Sequence, residues 1–339
     1  MKDAYDILFI TPIPSFYKVN LFNEISKEKR ILVLYTGATE EKRSDDFYKE
    51  EACYKYKSLS VNSLVAVLQL LKLFFTCSYD KTVVSGWDNI ISFVTVFLHR
   101  KRKNGCIVES SIFDSSTIGY KAWIKKIFLK CVSTVYVSGK SQRKLVEALT
   151  FDGKIIEFGG CGILRYRQQP AFKKRLKVHK FLYVGRLIEV KNLYLLVSVF
   201  NDLPHLTLTI IGEGPLMNEL KQIASDNIHF LGSINNSELS QYYIANDVFI
   251  LPSHRETWGL VVEEALNHGT PVIVSSNVGC AESIVEPYFS GLLFESRSRA
   301  GLSDAITQIC DINLYNQLRM NVSNLDFIER SKQQVLAFL

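Results

Sequence analysis

The segment 252–273, PSHRETWGLVVEEALNHGTPVI, decides how the rest of the chain is read. The apolar run 248–251 ahead of it has the length of a strand, and a polar turn follows through Ser253, His254, Arg255 and Glu256. A helical pattern then runs to His268 and Gly269, and a second apolar run begins at Pro271. Strand, turn, helix and strand make one βαβ unit, with charged residues at the carboxyl end of its first strand, where ligands bind in open α/β sheets. Glu256 and Glu264 bracket the turn and the helix. Spacing alone does not select Glu264, because on a continuous helix Glu263 lies nearer to the face of Glu256. A solvated acidic helix face would read the same way.

Outward from this unit the alternation continues. Strands are expected at 181–184, 207–211, 228–231, 248–251 and 291–294, and helices at 192–201, 216–224 and 237–245. Two further loops at strand ends carry chemistry. Gly185, Arg186 and Leu187 lead to Lys191, so two cations and a helix start could face one anion. The spacing equally fits a surface Arg and Lys. Gly212-Glu213-Gly214-Pro215 is a turn that lets backbone pass close to a ligand, or simply a tight turn, and it lacks the full dinucleotide glycine fingerprint. The first half also alternates. Strands are expected at 7–11, 31–35, 54–59, 82–85, 106–109, 134–137 and 154–158, and helices at 16–26, 63–76, 89–100, 120–132 and 141–149. The fold class is therefore α/β, with mostly parallel sheets covered on both faces. The expected division is a first domain at 1–164, a basic linker at 165–179, a second domain at 180–312 and a helical segment at 313–339 that packs back on the first domain.

Composition narrows the function classes. The chain has 339 residues, room for two domains. Its seven cysteines are scattered and form no C-x-x-C pair, which argues against a disulfide framework or zinc site and for a reducing compartment. The first residues, MKDAYDILFI, read as a strand rather than a signal peptide. The most apolar window, 64–75, is interrupted by Gln69 and Lys72 and is too short to span a bilayer. Charge is divided unevenly. Residues 1–179 hold 30 Lys+Arg against 17 Asp+Glu, a net of +13, and residues 180–339 hold 10 against 17, a net of −7. A basic first half suits an anionic partner, although ordinary solvated lysines give the same count.

Taken in order, VGRLIEVKN, IIGEGP, FLGSI, ANDVFILPSHRETWGLVVEEALNHGTPVIVS and SGLLF resemble the donor-binding domain of retaining GT-B glycosyltransferases of the family 4 type. The resemblance covers about residues 180–295. It implies a GT-B fold, two Rossmann-like domains facing a cleft, and transfer of a sugar from a nucleotide-sugar donor. It further implies that Arg186 and Lys191 hold the donor diphosphate, and that Glu256 and Glu264 form the family's E-x7-E pair. Glu256 would then meet the transferred sugar and Glu264 the ribose. Gly259 and Leu260, after Trp258, would offer backbone amides, while Gly185, Gly212, Gly214, Gly232, Ser233 and Ile234 would line the donor. The sequence departs from the family at Gly279-Cys280-Ala281-Glu282, where relatives often have Gly-Gly-x-Pro-Glu. No Asp-x-Asp occurs, so a catalytic metal is not expected. No resident cofactor and no nucleic-acid partner are expected either, the nucleotide-sugar being a substrate.

On the acceptor side the resemblance thins. The only histidine of the first domain, His99, does not match the family's position near the reacting sugar. Glu109 is the candidate to orient the acceptor or act as base, with Ser110, Tyr17 and Ser138 as further acceptor contacts. A core or capping role for Glu109, and a helix cap at Ser138, fit equally. Helix 120–132 divides into a side with Lys121, Lys125, Lys126 and Lys130 and a side with Trp123, Ile124, Ile127 and Cys131. That division reads as a half-buried crossover helix. With Arg100, Lys101, Arg102, Lys103 and the basic linker it also fits peripheral contact with an anionic membrane surface. The expected acceptor is a lipid-linked glycan in bacterial surface polysaccharide synthesis. A GT-B-fold nucleotide-sugar epimerase or phosphorylase, or a non-catalytic partner in glycan assembly, are the alternatives.

Overall fold

The computed structural model describes residues 3–37 and 50–339. They cluster into two compact units, Met1–Arg165 with Glu329–Leu339, and Tyr166–Ile328. In the first, the elements are β1 (Asp3–Thr11), α1 (Phe16–Ser26), β2 (Ile31–Tyr35), β3 (Lys55–Ser58), α2 (Ser63–Thr76), β4 (Cys77–Ser85), α3 (Ile90–Leu98), β5 (Asn104–Val108), α4 (Gly119–Lys130), β6 (Thr134–Val137), α5 (Lys140–Ala148) and β7 (Lys154–Glu157). The sheet order is β3-β2-β1-β4-β5-β6-β7, with parallel pairing throughout. Strand β1 shows why both faces must be covered. Leu8 and Ile10 point into a core shared with α2, α3, α4 and α5, while Ile7 and Phe9 point into one shared with α1. Parallel strands buried on both sides need such continuous apolar runs. Asn62 and Asn89 cap α2 and α3 by accepting from first-turn amides.

The second unit holds β8 (Lys180–Val184), α6 (Leu193–Asn201), β9 (Thr207–Ile211), α7 (Met217–Ile223), β10 (Ile228–Gly232), α8 (Asn236–Ala245), β11 (Val248–Leu251), α9 (Leu260–Asn267), β12 (Val272–Ser275), β13 (Gly291–Phe294), α10 (Arg299–Ile309) and α11 (Ile312–Ser323). Its order is β10-β9-β8-β11-β12-β13, again parallel. The order reverses at β8 and β11, so their carboxyl ends flank the crevice where a doubly wound sheet takes its ligand. Residues 166–179 run without regular structure and are laid along this unit. Asn267 exchanges hydrogen bonds with the backbone of Arg167, and Asn316 does the same with Arg175.

The last helix, α12 (Phe327–Leu336), leads the chain back into the first unit. Phe338 stacks on Tyr136 at 4.5 Å and meets Phe9 and Phe158 edge-on, filling the core under β1, β6 and β7. Arg330 donates to the carbonyl of Gly159.

One expected face is redistributed. In α4 the side chains turned inward are Ala122, Lys125, Phe128 and Leu129, and Trp123 and Ile124 are exposed. Lys125 is sheathed rather than solvated: its ammonium donates to Ser115 Oγ and the Ser116 carbonyl and lies 5.6 Å from the Trp87 ring centroid. Phe128 meets Phe93 and Trp87 edge-on and fixes the rotation of the helix. The basic side therefore contributes one buried lysine, and on the other side Trp123 and Ile124 face out while Ile127 and Cys131 are half-buried.

Candidate active site

The loops that follow β8 and β11 build the site. After β8, Gly185 and Arg186 lead into a 3-10 turn, Glu189–Lys191, closed by Asn192 in the left-handed region at φ 57°. The Asn192 side chain, buried, donates to the carbonyls of Pro252 at 3.1 Å and Ser296 at 2.7 Å. It thereby ties the β8 loop to those after β11 and β13. His254 N–H donates to the Val190 carbonyl, and Asn277 donates to the His254 carbonyl and to Ser296 Oγ. Between these clamps the Lys191 ammonium pairs with Glu256 Oε2, both side chains largely buried. Sequence reasoning missed Asn192, although the left-handed tolerance of asparagine after a turn was a usable signal. Asn192→Ala strands two buried carbonyls and forces alanine into the left-handed region, at a cost of about 2–4 kcal/mol. Urea unfolding should show it, with Asn192→Gly, which keeps the backbone but not the bonds, falling between.

Arg186 is exposed at the same loop, its carbonyl accepting from the Tyr183 hydroxyl at 3.0 Å. Tyr183 sits under both charges. Burial pushes its hydroxyl well above the usual range, Glu256 adds to this, and Arg186 opposes it. Glu256 is held at both backbone ends, its N–H on the Asn277 carbonyl and its carbonyl on the Gly279 N–H.

The glycine turns serve first to let loops pass one another. A Cβ on Gly212, at φ 133°, would stand 1.9 Å from the Gly185 carbonyl oxygen, and one on Gly214 would stand 2.3 Å from that of Leu187. Gly212 N–H donates to the Gly232 carbonyl, which brings the turn of Gly232, Ser233 and Ile234 alongside. Ser233 is exposed and Ile234 half-buried.

Gly259 caps α9 in the left-handed region at φ 101°, and Leu260 opens the helix. Glu256 is thus separated from α9 by a backbone break, which removes the continuous-helix argument for Glu263. Glu263 is fully buried and accepts from the Tyr166 hydroxyl at 3.1 Å. Glu264 accepts from the Tyr243 hydroxyl at 2.9 Å, and His268 stacks on the Tyr243 ring. Burial pushes the Glu264 carboxyl up to about 7 against the downward pull of Tyr243. Trp258 is in the core, its indole N–H without a hydrogen-bond partner among the described residues and its carbonyl accepting from Cys280 N–H.

The acceptor-side candidates gather at the carboxyl edge of the first sheet. Glu109 follows β5 and pairs with Lys18 at 2.6 Å. Tyr17 adjoins Lys18 and is half-buried, and burial and then Glu109 raise its hydroxyl. Ser138, after β6, is fully buried and hydrogen-bonds Cys161 at 3.4 Å. Gly139, not Ser138, is the cap of α5, and no side chain caps it. Ser110 is half-buried beside Glu109. His99 packs edge-on to Phe74 and bonds the Tyr79 hydroxyl and the Thr95 carbonyl.

Comparison with known proteins bears on this arrangement. Residues 165–324 match the family profile described as Glycosyl transferases group 1. The sulfoquinovosyl transferase SQD2 of Arabidopsis thaliana is 36% identical over 131 residues, 38% of this chain and 25% of that protein. An Escherichia coli UDP-Gal:alpha-D-GlcNAc-diphosphoundecaprenol alpha-1,3-galactosyltransferase is 28% identical over 244 residues, 65% of this chain and 62% of that one. The chain spans between a quarter and about half of the length of the first curated relatives it matches. Among solved structures, Anabaena Alr3699/HepE in complex with UDP and glucose superposes with a TM-score of 0.71 at 17% identity, covering 99% of this chain and 100% of that one. The chain has the GT-B fold, two Rossmann-like units, and the stretch that carries Arg186, Lys191, Glu256 and Glu264 is the part that matches Glycosyl transferases group 1.

Proposed function

We propose that the chain is a retaining glycosyltransferase that moves a sugar from a nucleotide-sugar donor to a hydroxyl of a lipid-linked glycan in bacterial surface polysaccharide synthesis. The observation that carries this reading is the Lys191–Glu256 pair beside Arg186 at the switch point of the second sheet. A diphosphate needs cations and amides, a sugar needs a hydrogen-bonding carboxylate, and this edge offers both within two loops. On this reading Arg186, Lys191 and the first amides of α9 take up charge as the bond from the anomeric carbon to the diphosphate breaks. The acceptor oxygen bonds the same face of that carbon, and its proton passes to the departing phosphate oxygen. Glu256 holds the sugar and Glu264 the ribose. The cationic side chains supply the neutralisation, so the reading includes no resident metal. The relatives named above support the sugar nucleotide and the lipid diphosphate acceptor.

A thermal-shift screen across UDP-, GDP-, ADP- and dTDP-sugars tests the donor half. A ligand at a hundred times its Kd adds about 2.7 kcal/mol, so one base class should raise Tm by several degrees. No shift with any of them would overturn the reading.

Membrane contact belongs to the same proposal and takes a different face from the one expected. The outer surfaces of α2, α3 and α4 expose Leu64, Leu68, Phe75, Phe97, Tyr120 and Trp123. Lys121, Lys130, Lys101 and Arg102 stand exposed on α4 and before β5. Exposed aromatics flanked by cations suit the interface of an anionic bilayer. Among the described residues no helix is long and apolar enough to cross a membrane. The protein should sediment with vesicles containing phosphatidylglycerol at low salt and release at about 0.5 M salt, where screening is short-ranged. Trp123→Ser should weaken this severalfold. Equal binding to neutral vesicles would contradict the proposal.

A further inference from the structure

We propose that Lys18 is the positioning residue of an acceptor subsite in the first unit, holding the Glu109 carboxylate to receive a hydrogen bond from a hydroxyl of the acceptor glycan other than the one that takes the sugar. The inference rests on the glycosyltransferase reading and adds a side chain that sequence reasoning passed over as one lysine among many.

The pair is asymmetric. The Lys18 side chain is 8% exposed and that of Glu109 is 33% exposed. An ordinary helix lysine extends its ammonium to water along an apolar stem. Lys18 instead turns inward, forming an ion pair with Glu109 Oε1 at 2.6 Å and donating to Thr11 Oγ1, at the end of β1, at 3.1 Å. Desolvating an ammonium is costly and a buried ion pair is weak as a device for stability, since apolar packing does as well. Its location supplies the reason for it. Thr11 and Glu109 lie at the carboxyl ends of β1 and β5, beside the reversal of strand order at β1 and β4, where this sheet type takes ligands. With one carboxylate oxygen on Lys18, the other is an acceptor on a half-open side chain.

The neighbours fit an ionised pair. Burial pulls the Lys18 ammonium down, and Glu109, then Tyr17, more than reverse this, so it ends above its ordinary value. Among the described residues, other titratable groups that face the pair include Tyr17 on α1, Cys161 after β7, Asp88 after β4, Cys106 on β5 and Tyr35 at the end of β2. Burial holds the Tyr17 and Tyr35 hydroxyls above their usual range. Burial also raises the carboxyl of Asp88, with Glu109 adding to it. Lys18 is thus the cation that faces Glu109 in this cluster.

The test uses Lys18→Met and the double variant Lys18→Met/Glu109→Gln. The donor is the UDP-sugar selected by the screen, and the acceptor probe is a short-chain alkyl diphosphate carrying α-N-acetylglucosamine. Lys18→Met should keep donor affinity and donor-only hydrolysis within twofold and lose ten- to hundredfold in kcat/KM for the acceptor. The double variant should regain the wild-type Tm without regaining transfer. An unchanged acceptor kcat/KM in Lys18→Met would overturn the inference, as would full recovery of transfer with Tm in the double variant. A wild-type protein that neither hydrolyses nor transfers from any donor would mark failure of the glycosyltransferase reading, and the subsite would fall with it.

Discussion

Glu256→Gln is expected to lower kcat for sugar transfer about a hundred- to a thousandfold while Tm changes by only a few degrees. Glu256 follows β11 at the reversal of strand order in the second unit's sheet and is fixed through its backbone to Asn277 and Gly279, so the amide inherits the position and loses only the charge. What disappears is the negative charge matched to positive charge developing on the sugar, and removing one such electrostatic contact costs about 3–4 kcal/mol in related cases. Lys191 would keep its place through Asn192 and the loop clamps. The readout is transfer of labelled sugar alongside binding of the donor by calorimetry. Binding that persists with transfer lost separates the chemical step from the fold, and full activity in the variant would remove Glu256 from the site.

The second large effect concerns pH and stability. Glu264 is raised from 4.5 to about 7 by burial. Its folded form holds a proton that the unfolded chain releases, so between about pH 4.5 and 7 rising pH works against the fold. The gap corresponds to about 3 kcal/mol at 1.36 kcal/mol per unit. His268, stacked beside it and lowered chiefly by burial, acts in the opposite sense, losing stability as pH falls through its own range. The difference between wild type and Glu264→Gln isolates the carboxyl, because glutamine still accepts from Tyr243. Urea midpoints should converge near pH 4.5, and the variant should be the more stable by about 3 kcal/mol at pH 8. Parallel curves would show that Glu264 ionises freely.

Most of the fold was legible because its signals are local. Helices α1 and α2, and strands β2, β6, β9, β11 and β13, begin and end where apolar runs and breaks place them. Faces were harder. Lys125 lies inward because Ser115, Ser116 and the Trp87 ring receive its ammonium, and those partners are distant in sequence. Periodicity put Glu263 near Glu256 by assuming one helix, and the left-handed Gly259 breaks that assumption. The glycines of the 212–214 turn invited a ligand reading, yet their immediate neighbours are the carbonyls of Gly185 and Leu187. Lys18 carried no mark in the sequence, since a buried lysine is recognised only by what surrounds it.

The return of the chain to the first unit has a bearing on synthesis. Phe338 completes a core whose other walls, Phe9, Tyr136 and Phe158, leave the ribosome long before it. Domains generally fold as they emerge, the earlier ones first. Here the earlier unit must wait with an aromatic-lined hollow, so the later unit, continuous from Tyr166 to Ile328, can be the first to finish.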